Sequence, residues 1–312
     1  MANFITKIEA VLTQSRKVAK SQRFIEAAFV RLYFLSFASL LFLVLAPNSS
    51  AQRVAILTPD RAEKSTAFAE KLETRLSEKL TILDNSMAGA AYLSVSPATP
   101  FNLTVEDSKR IGEVVGCDFF TLIRSDTLRR SSFKKAEYYE SYAAVYLVSS
   151  RTGRLVFWKL QQFEAAKPDR SQKMLDDSVG ALAVEIAENV RSAIKNDLTE
   201  PNPAVIEEVP DEKTPAGKNF RAPVPYRRIK PEYTTQASLY DVAATVDMVV
   251  DLDEKGTILR TEIVRWAGFG LDESVEKTVR GMNWRPAERN GKSLPMRFLV
   301  RYNFKKIDKE RP

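Results

Sequence analysis

Apolar and polar residues alternate over Ala244, Val246, Met248, Val250 and Leu252, with Thr245, Asp247, Val249 and Asp251 between them. A period of two places one set on one face of a β-sheet. Asp253-Glu254-Lys255-Gly256 then reads as a turn whose glycine supplies a positive φ. Ile258 to Trp266 reads as the return strand of a hairpin. Leu271, Val275, Val279 and Met282 recur at helical spacing, which predicts a short amphipathic helix over Asp272 to Gly281. The last strand-like run is Met296-Phe298-Val300-Tyr302-Phe304, with Arg297, Leu299, Arg301 and Asn303 between. Its outer side is expected to lie uncovered at a sheet edge. Lys305, Lys306, Lys309 and Arg311 come next, and charge of this kind blunts indiscriminate edge pairing. Such an edge can accept an extended peptide through main-chain hydrogen bonds.

The start of the chain has another pattern. Met1 to Arg31 carries a basic excess, and Leu32 to Ala46 is apolar except for Ser36 and Ser39. Positive charge ahead of an apolar segment predicts a cytoplasmic N-terminus and export of the residues after Gln52. Residues 1–51 then form a signal peptide or a membrane anchor, and two outcomes stand open. The run is shorter than the roughly 20 residues of a spanning helix, and Ser49 and Ala51 sit as in a small-residue cleavage site near Ala51. Left uncleaved, residues about 27–46 would anchor the chain in the inner membrane, with Arg31 reaching back to the cytoplasmic face.

Residues 52–197 read as a folded domain. Strands are expected at Arg53 to Leu57, Thr81 to Leu83, Asp118 to Ile123, Tyr138 to Val148 and Leu155 to Phe163. Helices are expected at Ala62 to Leu80, from Thr104 to Val115 with Gly116 as its stop, and from Ser171 to Ile194. Asn85 to Leu103, with Pro97 and Pro100, reads as loop. Residues 198–222 read as an extended linker, with Pro201, Pro203, Pro210, Pro215 and the acids Glu207, Glu208, Asp211 and Glu212. The fold class is α+β, and the second folded domain spans residues 223–306, ahead of a charged tail at 307–312.

Composition narrows the chemistry. A length of 312 residues allows about two domains, and 44% hydrophobic residues suffice for a core in each. There is no histidine, so serine–histidine and cysteine–histidine catalysis are excluded. No catalytic residue, cofactor or metal site is expected. Cys117 is the single cysteine and reads as a small core residue. Glu106 and Asp107 suit the first turn of a helix. Asp251, Asp253 and Glu254 lack the spacing of a calcium loop and read as a polar hairpin turn. A net charge of +7 suits an anionic membrane surface, acidic partners or plain solvation, and no nucleic-acid motif accompanies it.

Two stretches resemble known families. Lys230-Pro231-Glu232-Tyr233, Val246 to Val250, Asp253 to Gly256, Leu271-Asp272, Trp284-Arg285-Pro286-Ala287, Asn290-Gly291-Lys292 and the final strand resemble, in order and spacing, the C-terminal domain of TonB-family proteins. The resemblance covers residues 223–306. It implies a periplasmic protein that binds segments of an outer-membrane β-barrel receptor by strand addition. With a retained N-terminal helix, it also implies energy transduction from inner-membrane motor proteins. The binding residues it implies are Pro231, Tyr233, Trp284, Arg297, Val300, Arg301 and Asn303. Trp284 is expected in the core or shaping the surface beside the last strand. Arg297, Arg301 and Asn303 face away from the apolar set, toward solvent or a bound peptide. Thr234 stands where the family has a second proline. Separately, Val54-Ala55-Ile56-Leu57, Ile111-Gly112, Gly116 to Phe120 and Thr152 to Trp158 resemble the CsgG/LpoB/TolB-N group of envelope proteins. That implies a recognition or assembly module without catalysis. The alternative function is an adaptor whose middle domain binds the partner and whose TonB-like domain forms a homodimer.

Overall fold

The structure is a computed structural model that describes residues 52–199, 206–211 and 213–306. The expected signal or anchor segment, Pro201, Pro203 and Glu212 of the linker, and Lys309 and Arg311 of the tail lie outside the described residues. Among those described, no helix is long and apolar enough to cross a membrane.

The first half runs β1 (Arg53–Leu57), α1 (Glu63–Leu76), β2 (Thr81–Ile82), α2 (Asn85–Val95), α3 (Val105–Val115), β3 (Phe119–Arg130), β4 (Tyr138–Ser149), β5 (Leu155–Ala165), α4 (Pro168–Asp177) and α5 (Val179–Thr199). Its sheet has the order β2-β1-β3-β4-β5. β1 pairs in parallel with β2 and β3, whereas β3, β4 and β5 are antiparallel.

Alternation along these strands makes two apolar faces. On one, Val54, Ile56, Phe119, Ile123, Ala143, Val145 and Leu147 pack against Phe68, Leu72 and Leu76 of α1, Leu175 of α4, and Leu182, Ile186 and Val190 of α5. On the other lie Ala55, Leu57, Phe120, Leu122, Ala144, Tyr146 and Val148. Tyr92 of α2 and Ile111 of α3 join that core, together with Trp266, Ala267, Phe269 and Leu271 from the C-terminal half. One hydrophobic core thus belongs to both halves.

The C-terminal half runs β6 (Phe220–Arg221), β7 (Val224–Pro225), α6 (Thr235–Leu239), β8 (Ala244–Leu252), β9 (Ile258–Arg265), α7 (Leu271–Arg280), β10 (Trp284–Arg285), β11 (Ala287–Arg289), β12 (Lys292–Leu294) and β13 (Met296–Phe304). Its main sheet has the order β13-β8-β9, and α7 lays Leu271, Val275 and Val279 on it. Short sheets β12-β11-β6 and β10-β7 extend the fold.

Contacts between the halves are specific. The rings of Tyr146 and Trp266 lie 5.4 Å apart, those of Trp158 and Phe269 5.1 Å, and those of Tyr142 and Tyr240 4.7 Å. Gly268 has φ +71°, and a Cβ there would come within 2.6 Å of Trp158 Nε1. Only glycine suits both the backbone conformation and the close approach. Asn102, 9% exposed, donates through Nδ2 to the carbonyls of Thr245 (2.8 Å) and Trp266 (2.7 Å). Its Oδ1 accepts from the Thr245 N–H at 2.9 Å. The Trp266 N–H donates to the Leu103 carbonyl at 3.3 Å. Arg154 pairs with Glu262 at 2.6 Å.

Several elements depart from the expected pattern. Part of the segment read as loop is helix α2, started by Asp84, whose side chain accepts from the Met87 N–H. The helix expected at Ser171 to Ile194 is two helices meeting at Ser178, the first opened by Pro168 at its N-terminus. β3 runs on to Arg130 because β4 pairs with it over its whole length. The linker is not simply extended: residues Pro215–Gly217 form a 3-10 turn, and Phe220–Arg221 pairs with β11. Other readings hold locally. Thr104 caps α3, with Glu106 and Asp107 in its first turn. Cys117 is buried, and burial pushes its thiol upward in pKa.

Asn102→Ala removes three hydrogen bonds and strands the buried Trp266 carbonyl together with the half-buried Thr245 N–H. A loss of about 2–4 kcal/mol is expected, since an orphaned buried group costs roughly 1–3 kcal/mol. Urea unfolding of the variant checks this, and a loss below about 0.5 kcal/mol would contradict the role assigned to Asn102.

Candidate partner-binding edge

β13 pairs antiparallel with β8 along its whole length, from Met296 opposite Leu252 to Phe304 opposite Ala244. Met296, Phe298, Val300, Tyr302 and Phe304 turn toward the core, where Met296 and Phe304 are buried and the other three half-buried. Trp284 is 5% exposed, meets the Phe298 ring edge-on at 5.0 Å, and donates from Nε1 to the Val279 carbonyl at 3.2 Å. Of its two expected placements, it takes the core. Tyr233 is half-buried, stacks on Phe304 at 6.4 Å, and its hydroxyl lies within hydrogen-bond reach of the Ala237 and Val242 carbonyls. Pro231 is half-buried, two residues before it. Thr234 has a task that proline could not perform. Its hydroxyl oxygen accepts from the Ala237 N–H, capping α6, and its hydroxyl donates to the Phe269 carbonyl at 2.6 Å.

The opposite face of β13 is ionic. Arg297 forks onto Asp251 at 2.7 and 2.8 Å, and Arg301 onto Asp247 at 2.6 and 2.8 Å. Both aspartates are 3% exposed, and Asp247 also meets Arg265 of β9 at 3.3 Å. Bidentate pairs of this geometry are strong and directional. Neither arginine head is simply solvated: each closes over a carboxylate of its own sheet. Asn303 is exposed, and its Oδ1 accepts from the Thr245 hydroxyl at 2.8 Å. The signal for these pairs lies in the sequence, because Asp247 and Asp251 have the same spacing as Arg297 and Arg301 on an antiparallel neighbour.

The outer side of β13 is partly taken, which corrects the expectation of an uncovered edge. The Arg297 N–H donates to the Glu207 carbonyl at 2.8 Å, and the Val209 N–H donates to the Arg297 carbonyl at 3.0 Å. The linker thus runs parallel to the start of β13, with Glu208 bridging Arg297. Arg289 fastens it by a fork on Glu207, at 3.1 and 2.5 Å, which holds that carboxyl below its usual pKa. Backbone groups alternate in direction along a strand. Since those of Arg297 point outward, so do those of Leu299, Arg301 and Asn303, which have no backbone partner on that side among the described residues. The N–H of Val300 points inward, to β8. Leu299 is 52% exposed at this open stretch. A groove of about 550 Å³, lined in part by Val209, Pro223, Val249 and Leu299, lies beside it.

Residues 229–305 match the model of the Gram-negative bacterial TonB protein C-terminal family. This segment carries a TonB-family C-terminal domain. Among solved structures, the Pseudomonas aeruginosa TonB C-terminal domain is 19% identical, covering 30% of this chain and 92% of its own, with a TM-score of 0.25. A lipoprotein of Neisseria meningitidis is 12% identical, covering 44% of this chain and 99% of its own, with a TM-score of 0.32. The LpoB C-terminal domain from Salmonella enterica is 12% identical, covering 38% and 88%, with a TM-score of 0.25. No curated protein matches the chain.

In the TonB-type domain, Asp272 opens α7 beneath the loop that meets the first half. Its carboxylate accepts from the Ala267 N–H at 2.9 Å and the Gly268 N–H at 2.7 Å. Burial pushes its pKa up to about 7, against the pull of those two donors. A carboxyl raised on folding contributes stability at low pH that is lost as pH climbs through its folded value. With no histidine in the chain, few other groups titrate in that window. Stability from this group is therefore expected to fall as pH rises from about 4, the unfolded carboxyl's range, to about 7. Asp272→Asn should flatten this slope in urea titrations, and an unchanged slope would exclude Asp272 as its source. Arg297→Ala leaves Asp251 buried without its partner and is expected to cost about 3–5 kcal/mol, measurable by the same titration.

Proposed function

We propose that the chain is a non-enzymatic TonB-like adaptor of the cell envelope, whose last strand takes up an extended segment of an outer-membrane β-barrel receptor. The open outward side of β13 from Leu299 to Asn303 carries this reading. It offers N–H and C=O groups at alternate residues, as strand addition requires. The groove beside Leu299 receives side chains of the incoming strand, and Leu299 itself provides apolar contact. Arg297 and Arg301 hold the strand flat through Asp251 and Asp247 and contribute to the partner mainly through their backbone. Pro231, Tyr233 and Trp284 support the strand from the core side. Transmission of force from an inner-membrane motor requires the N-terminal segment to stay attached. A mature protein beginning at Gln52 would limit the chain to a soluble periplasmic adaptor, and an intact Met1 or Ala2 would support transduction.

The linker strap sets where the partner begins. Among the described residues it pairs with β13 at Arg297 alone, so an incoming strand can either start at Leu299 or displace Glu207 to Val209 and use the whole edge.

Binding of an immobilised, periplasm-facing receptor segment to the full chain tests the reading. Leu299→Pro and Asn303→Pro each remove one outward N–H while sparing the ladder to β8, and an edge tolerates proline. Each is expected to weaken binding at least tenfold with little change in thermal midpoint. Unaltered affinity in both would remove this edge from the function. Arg289→Ala unfastens the strap and is expected to strengthen binding severalfold if the partner uses the whole edge.

A further inference from the structure

Between the two halves lies a cleft of about 540 Å³, in the range of small-molecule sites. Its floor is set by strand pairing. Tyr142, Ala144 and Tyr146 share one face of β4, so a small residue stands between two large ones and leaves a notch. Arg124 of β3 lies directly opposite Ala144. Phe101, Tyr240 and Phe269 close the walls.

The charges around the cleft are matched, with one exception among the described residues. Arg130 pairs with Glu140 at 3.0 Å and sits over the Tyr240 ring. Asp126 takes Lys64 at 3.3 Å, and Asp241 takes Lys306. Arg124 is exposed and makes no hydrogen bond or ion pair with any described residue. The Tyr142 hydroxyl, on the same face and one position along, is likewise without a protein partner there. A cation and a hydroxyl, neither partnered among the described residues, thus line an aromatic notch.

We propose that this cleft binds a small amphiphilic anion, its carboxylate or sulfonate on Arg124 and Tyr142 and its apolar body in the notch at Ala144. The chemistry fits on both counts. A guanidinium matches a carboxylate by paired N–H donors, and aromatic walls suit a flat or branched apolar body. The site sits where the two halves meet, away from the edge of β13, and does not depend on peptide binding there.

Calorimetric titration of the full chain with naphthoate, and with its uncharged amide, tests the proposal. Naphthoate is expected to saturate a single site, with the amide at least about tenfold weaker, the scale of one charge-assisted hydrogen bond. Arg124→Gln should weaken naphthoate by a similar factor and leave the amide unchanged. Its thermal midpoint should match the wild type, because Arg124 has no partner to lose. Ala144→Phe fills the notch and should weaken both compounds. Absence of saturable naphthoate binding, or equal naphthoate affinity in the wild type and Arg124→Gln, would overturn the proposal.

Discussion

The second apolar face of the five-stranded sheet is the constraint on which the rest of the architecture depends. α1, α4 and α5 cover one face. The other carries Leu122, Tyr146 and Val148, and α2 and α3 meet only part of it. A sheet with so large an uncovered apolar face would be unstable in water. The loop from Trp266 to Leu271 completes that cover, with Trp266 only 1% exposed. Asn102 supplies the polar half of the junction. It satisfies backbone groups of Thr245 and Trp266 that the aromatic contact would otherwise shut away from water.

This junction also explains how the TonB-type domain can leave a strand edge open. A three-stranded sheet with one packed helix is near the lower limit for independent stability. Here it shares its core with a larger sheet and is stiffened on its far face by the Arg297–Asp251 and Arg301–Asp247 forks. Burying those carboxylates is costly, and the bidentate geometry offsets much of the cost. What the forks add is register: each arginine must stand opposite its own aspartate, and a slip by one residue would separate both pairs. The edge is thereby held straight without a further strand.

The C-terminal half was legible because its periodicity is strong and its turns carry diagnostic residues. Ala244 to Leu252, Ile258 to Arg265 and Met296 to Phe304 appear as strands where alternation predicts them. Helix α2 was not, because Ala88, Gly89, Ala90 and Ala91 give it no apolar stripe to read, and only Asp84 marked its start. The break at Ser178 was hidden by apolar residues that keep helical spacing across it. The junction was hidden for a different reason: Tyr146, Trp158, Trp266 and Phe269 each look like local core residues, and only the fold brings them together. The role of the linker was hidden likewise, since prolines and acids suggest an extended spacer and say nothing of a single bridge to Arg297.

That bridge is weak by construction. Among the described residues, two backbone hydrogen bonds and one half-exposed ion pair hold Glu207 to Val209. A net gain of about 0.5–1.5 kcal/mol per hydrogen bond, and less for an exposed pair, is small beside what a partner strand could gain along the whole edge. Such a strap shields the start of β13 from indiscriminate pairing while remaining displaceable. It also pairs parallel to β13, a geometry slightly less stable per residue than antiparallel pairing. An antiparallel partner strand would therefore have the advantage over it in geometry as well as in length. If the edge takes up a partner strand as proposed, the strap would act as selection: short, weakly pairing segments would leave it in place, and a long complementary strand would replace it.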